Sequence, residues 1–158
     1  MNNPTYLNKI AAKPLKQNQK SHVLIIEDHQ GRREILLTQK LYTIGRAPKR
    51  DIRLSSPFIS RYHASLIRQQ HENGYFYYQI MDGDPMGSNL SANGIMVNGR
   101  QVYSHELKHG DKILFAPQVI GIYKNVSSSV TRQKLNQEDI DTLVLRNKSN
   151  QKIIDEHQ

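Results

Sequence analysis

From His22 to about Lys124 the chain breaks into short apolar or alternating runs separated by turn signals. The runs HVLIIE, REILLT, LYTIG, DIRL, HASLIRQ, YFYYQIM, GIMVN, KILFA and VIGIYK, each four to seven residues long, read as strands. Asn73-Gly74 and Asn98-Gly99 fall between such runs, and Asn-Gly is the strongest short-range hairpin cue because both central residues of a type I′ turn need positive φ. Many short strands with frequent turns predict an all-β sandwich or barrel over residues 22–125.

The flanks lack this pattern. Residues 1–21 are rich in Lys, Asn and Gln with little periodicity, which predicts a basic, disordered tail. Residues 126–158 begin as a polar linker, VSSSVTRQ, and end in a tail where Ile140, Leu143 and Val144 would share one face of a short helix. The length of 158 residues suits one domain with extensions.

Composition narrows the chemistry. Cysteine is absent, which excludes a disulfide framework, a thiolate nucleophile and the usual zinc sites. The first twenty residues hold no apolar block that could be the centre of a signal peptide, and no run approaches a membrane span of about 18 apolar residues. A cytoplasmic protein with no membrane insertion is expected. The net charge of +8 predicts attraction to an anion, whether nucleic acid, lipid surface or phosphorylated protein. Four lysines and no acid lie in residues 1–22, so half the excess sits in the tail.

Three constellations could carry chemistry. Ser60, His63 and Asp82 would supply the residue types of a nucleophilic triad, but G-x-S-x-G is missing, and on a strand Ser60 and His63 would point to opposite faces. No enzyme is expected on that basis. His105 and His109 approach metal-ligand spacing, yet they read as exposed loop histidines without carboxylate or thiol partners. No Walker loop or dinucleotide fingerprint occurs, so neither metal nor cofactor is expected. The third is cationic: Gly45-Arg46 follows the strand LYTI, where the glycine can turn the backbone and the guanidinium can project from the loop. Lys49, Arg50, Arg53 and Arg61 add charge nearby. A phosphoryl group on a side chain, with about −1.5 to −2 charge and three acceptor oxygens, suits a forked guanidinium beside a hydroxyl.

The order of the motifs is more specific than any one of them. IGR at 44–46, DIRL at 51–54, ISRYHASL at 59–66, Asp82, SANG at 91–94, VNG at 97–99 and LKHGDKILF at 107–115 together resemble the forkhead-associated (FHA) domain. The resemblance implies an FHA-like β-sandwich of two antiparallel sheets with phosphothreonine-binding loops at one end. It implies that Arg46 and Ser60 contact the phosphate, that Arg61 assists, and that Asn93 holds the peptide main chain. His63 is implied to brace the loops from within, while Gly45, Gly94 and Gly99 look like turn residues and Asn98-Gly99 a hairpin. Lys49 and Arg50 are additional cations. Ala92 departs from the family, which often has Thr or Ser there; losing one such contact is expected to weaken binding by about 0.5–1.5 kcal/mol. The preference for threonine over serine also comes with the resemblance, since one methyl group contributes only about 0.8 kcal/mol by transfer.

The partners so implied are phosphothreonine proteins of a Ser/Thr kinase pathway, with the chain as an adaptor. Thr142, in QEDIDTLVLR, has acidic residues before it and could be phosphorylated, then compete for the site within one chain or between two. Two rivals stay open. A nucleic-acid binder would use the basic loops for backbone phosphates and show strong salt dependence without need of Ser60. A structural FHA module with a degenerate phosphate site would bind no phosphopeptide.

Overall fold

The structure, a computed structural model, describes residues 19–127. Eleven strands lie among the described residues. In chain order they are β1 (Lys20–Asp28), β2 (Gly31–Leu37), β3 (Leu41–Gly45), β4 (Ile52–Arg53), β5 (Ala64–Gln70), β6 (Phe76–Asp82), β7 (Ile95–Val97), β8 (Arg100–Val102), β9 (Ser104–Glu106), β10 (Lys112–Ala116) and β11 (Val119–Ser127). They form a six-stranded sheet, β2-β1-β11-β10-β7-β8, and a five-stranded sheet, β4-β3-β5-β6-β9. Pairing is antiparallel throughout except between β3 and the two-residue β4, which run parallel. The fold is an all-β sandwich, one of the two architectures the strand pattern predicts and the one the FHA resemblance implies.

All nine expected strands are present, and two more lie where no apolar run marks them. β8 and β9 are three residues each and mostly polar; β8 is fixed by its hairpin with β7 and β9 by its register against β6. Cross-strand pairing, not burial, makes these strands, which is why they leave little trace in the hydropathy.

The two Asn-Gly dipeptides turn differently. Asn98 (φ 51°) and Gly99 (φ 81°) both occupy the left-handed region and join Val97 to Arg100 in the expected two-residue turn. At Asn73-Gly74 only Gly74 (φ 86°) is left-handed. There Gly74 donates to the His71 carbonyl and His71 to the Tyr75 carbonyl, giving a longer loop instead of type I′.

Alternate residues of both sheets meet in one core, with Leu24, Ile26, Ile44, Leu66, Tyr78, Ile80, Ile113 and Tyr123 fully enclosed. Tryptophan being absent, bulk comes from Tyr78, Tyr123 and Phe115. Buried phenols need partners: Tyr78 donates to the Gln39 carbonyl at 2.7 Å, and Tyr123 pairs with His22 Nδ1. Gly121 on β11 leaves the space the Phe115 ring fills, since a Cβ there would lie 2.9 Å from it. Phe115 in turn meets the His63 ring edge-on at 6.4 Å, which joins the core to the binding loops.

Candidate phosphopeptide site

Three loops gather at one end of the sandwich: 46–51 between β3 and β4, 54–63 between β4 and β5, and 83–94 between β6 and β7. Their main chains are stitched together. Arg46 N–H donates to the Ser60 carbonyl (3.0 Å), Ala47 N–H to that of Arg61 (3.3 Å) and Leu54 N–H to that of Gly45 (2.9 Å). The first loop is closed at its base by Asp51, whose carboxylate accepts from the Thr43 amide (2.7 Å) and hydroxyl (2.8 Å). These bonds, the amide first, hold the Asp51 carboxyl below its ordinary range.

Gly45 differs from its expected role. It has no left-handed φ; instead a Cβ would lie 2.2 Å from the Arg61 carbonyl oxygen. The glycine is there so that two loops can touch, not to make a turn. Gly94 (φ 73°) does turn the chain beside Asn93. Gly99 and Asn98 lie past the far end of β7, away from the three loops. Asn98 donates from Nδ2 to Asp111 (2.9 Å) and accepts the Lys112 amide (2.9 Å), so its work is to tie the β7–β8 turn to the start of β10.

Arg46 donates through Nε to the Ile59 carbonyl (3.2 Å), and its two terminal nitrogens make no hydrogen bond among the described residues. Ser60 Oγ accepts the Ala92 amide (2.9 Å), leaving its own proton available to an incoming acceptor. Asn93 Nδ2 donates to the Phe58 carbonyl (3.0 Å), which holds the third loop against the second. Arg61 is exposed and lines, with Arg46, a cavity of about 760 Å³ to which Arg53, Ser55 and Ser56 also contribute. Ser60 and Asn93 lie outside that lining, toward the third loop. Lys49 is exposed, while the Arg50 guanidinium stacks over Tyr62 at 4.4 Å; neither lines the cavity. Arg50 is thus spoken for by an aromatic face.

His63 is fully buried and accepts the Ser60 amide on Nδ1 at 3.0 Å. That acceptor role fixes the neutral ring with its proton on Nε2. Burial, the largest influence, lowers the His63 pKa, partly offset by Asp82. The Ser60 hydroxyl makes no hydrogen bond to His63, and Asp82 accepts the Ser91 amide instead (3.0 Å). The three residue types of a triad are therefore close in space but not linked as a proton relay.

Elsewhere one expectation is corrected. His105 is not an exposed loop residue without a carboxylate: it lies on β9, half-buried, with Nε2 2.8 Å from Asp111. His109 faces the main chain of Asn125. The 83–89 loop is ordered by Asp84, whose carboxylate accepts the amides of Met86, Ser88 and Asn89 and the Asn89 side chain. Asp51 is a site-shaping residue that motif reading missed, whereas Asp84-Pro85 followed by Gly87 is itself the signal of an ordered turn, and the Asp84 carboxylate is what orders it. Thr142 lies outside the described residues.

Comparison with known proteins places this arrangement. Residues 42–116 match the FHA domain family. The crystal structure of the Slr1951 protein from Synechocystis is 48% identical, with a TM-score of 0.61 over 65% of this chain and 96% of that one. The yeast Dun1 FHA domain, solved in complex with a doubly phosphorylated peptide, is 25% identical with a TM-score of 0.54, covering 73% of this chain and 82% of that one. A Synechocystis protein, sll1895, is 36% identical over 103 residues, which is 65% of this chain but 15% of that protein. The fold is that of FHA domains, a family of phosphopeptide-binding modules. The chain belongs to the FHA domain family.

Proposed function

We propose that this domain reads phosphothreonine on proteins of a Ser/Thr kinase pathway, as a non-enzymatic adaptor in the cytoplasm. The observation that carries the reading is the set of free donors at the loop mouth. Arg46 is anchored through Nε with its fork open, and Ser60 is anchored as an acceptor with its proton unused. Arg61 adds charge on one side, and Asn93 sits on the other to take the peptide main chain. Each charge-assisted hydrogen bond so formed contributes about 1.5–3 kcal/mol.

An oriented phosphothreonine library, with unphosphorylated and phosphoserine controls, tests the reading. Arg46→Ala or Ser60→Ala alone should abolish binding to the selected peptide. Binding that survives both changes but falls steeply with salt across many Lys and Arg variants would favour nucleic acid instead. No binding to any phosphopeptide would mean a structural module.

The proposal extends to Thr142, once phosphorylated, as a competing ligand of the same site. β11 ends at Ser127, and the roughly fifteen residues from there to Thr142 can span about 50 Å when extended, longer than the roughly 30 Å of β11 itself. That length is enough to let a phosphorylated Thr142 reach the loops of its own chain or of a second. If wild-type and Thr142→Ala proteins, both treated with a threonine kinase, bind an external phosphopeptide equally, this regulation is excluded.

A further inference from the structure

The cavity beside Arg46 is larger and more cationic than one phosphoryl group needs. It is an open groove of about 760 Å³, three arginines (46, 53 and 61) and two serines (55 and 56) line it, and no carboxylate does. Among the described residues none of the three arginines forms an ion pair. Arg53 is nevertheless held in place. Its Nε donates to the Arg46 carbonyl at 3.2 Å, and its own carbonyl accepts from Arg33 at 2.8 Å, which is itself paired with Asp28 at 3.0 Å. The terminal nitrogens of Arg53 are left for a ligand. The cavity walls are stiffened by Pro48 and Pro57. Like charges gathered without counter-charge repel one another, so the arrangement gains most when a multiply charged anion enters.

We infer that this cavity is a second anion subsite, which takes a second phosphoryl group on the same peptide that presents its phosphothreonine to Ser60. The inference rests on the reading above, because Arg46 and Arg61 stand between the two positions. A phosphoryl group matches the lining better than a carboxylate does: it brings up to twice the charge and three acceptor oxygens for forked guanidinium donors and hydroxyls. Sharing Arg46 and Arg61 keeps the two anions on the order of 10 Å apart, about three residues of extended peptide.

The test uses the full chain and a peptide selected by the library. Affinities are measured by calorimetry for the singly phosphorylated peptide, for versions with a second phosphoresidue two to four positions to either side, and for versions with glutamate there. At the favoured spacing the second phosphate should tighten binding about tenfold or more, and glutamate should recover only a small part of this. Arg53→Ala, and separately the Ser55→Ala, Ser56→Ala double variant, should remove the gain while leaving the singly phosphorylated affinity within about twofold. No gain at any spacing overturns the inference but leaves the phosphothreonine reading intact. Equal weakening of both peptides by Arg53→Ala also overturns it, since the cavity would then be the first site. A full gain from glutamate overturns the assignment to phosphate. If no phosphorylated peptide binds at all, the functional reading itself falls.

Discussion

Gly45 and Ala92 show how far single residues set this site. A methyl group at position 45 would have to occupy space 2.2 Å from one main-chain oxygen and 3.0 Å from another, and backbone cannot step aside as a side chain can. Gly45→Ala should therefore cost about 1–3 kcal/mol of stability by urea unfolding and weaken phosphopeptide binding as the second loop is pushed away. Ala92 contributes its amide to Ser60 but exposes a methyl group where a hydroxyl could reach the ligand. Ala92→Thr should tighten phosphopeptide binding by about two- to tenfold in titration calorimetry, equivalent to one added hydrogen bond of 0.5–1.5 kcal/mol. At this scale the sequence was informative about residue identity and less so about role. Arg46, Ser60 and Asn93 stand out as candidates because the order of their motifs is unusual. Arg50 could not be told from Arg53 by type or position, and only the ring of Tyr62 decides that one is engaged and the other open.

Elements were legible where burial made them and obscure where pairing or hydrogen bonding did. The nine strands with apolar faces stand out in the sequence, whereas β8 and β9 exist because a turn and a register bring polar segments alongside neighbours. The β7–β8 turn gives a clean test of this. Asn98 serves twice, by tolerating φ 51° and by bonding Asp111 and Lys112 through its side chain. Asn98→Gly keeps the first property and loses the second; Asn98→Ala loses both, adding about 1–2 kcal/mol for the left-handed conformation. The Ala variant should thus be the less stable in denaturant melts. Both should bind phosphopeptide as the wild type does, because the turn lies away from the three loops.

For the molecule as a whole, the buried polar groups set a pH window. His22 and His63 both have pKa values lowered chiefly by burial, so the unfolded chain binds protons near pH 6.5 that the folded one refuses. The stability they allow is complete above about 6.5 and is lost as pH falls through their folded values, by up to about 1.4 kcal/mol per pH unit for each. At the other limit Tyr78 is pushed up to about 12 and Tyr123 is also raised, both mainly by burial. Stability from the phenols is therefore complete below about 10 and lost as pH rises beyond it. Unfolding midpoints should form a plateau from about pH 6.5 to 10 with losses on both sides, and the imidazole resonances of His22 and His63 should begin to titrate only below the plateau. A midpoint that stays flat from pH 6.5 to 5 would mean that these histidines are not held neutral. Peptide affinity cannot substitute for this measurement, because a phosphoryl group itself loses charge near pH 6. Without peptide, the acid limb isolates the protein's own groups, and His63 links that limb to function: protonating Nδ1 removes the acceptor that fixes the Ser60 amide.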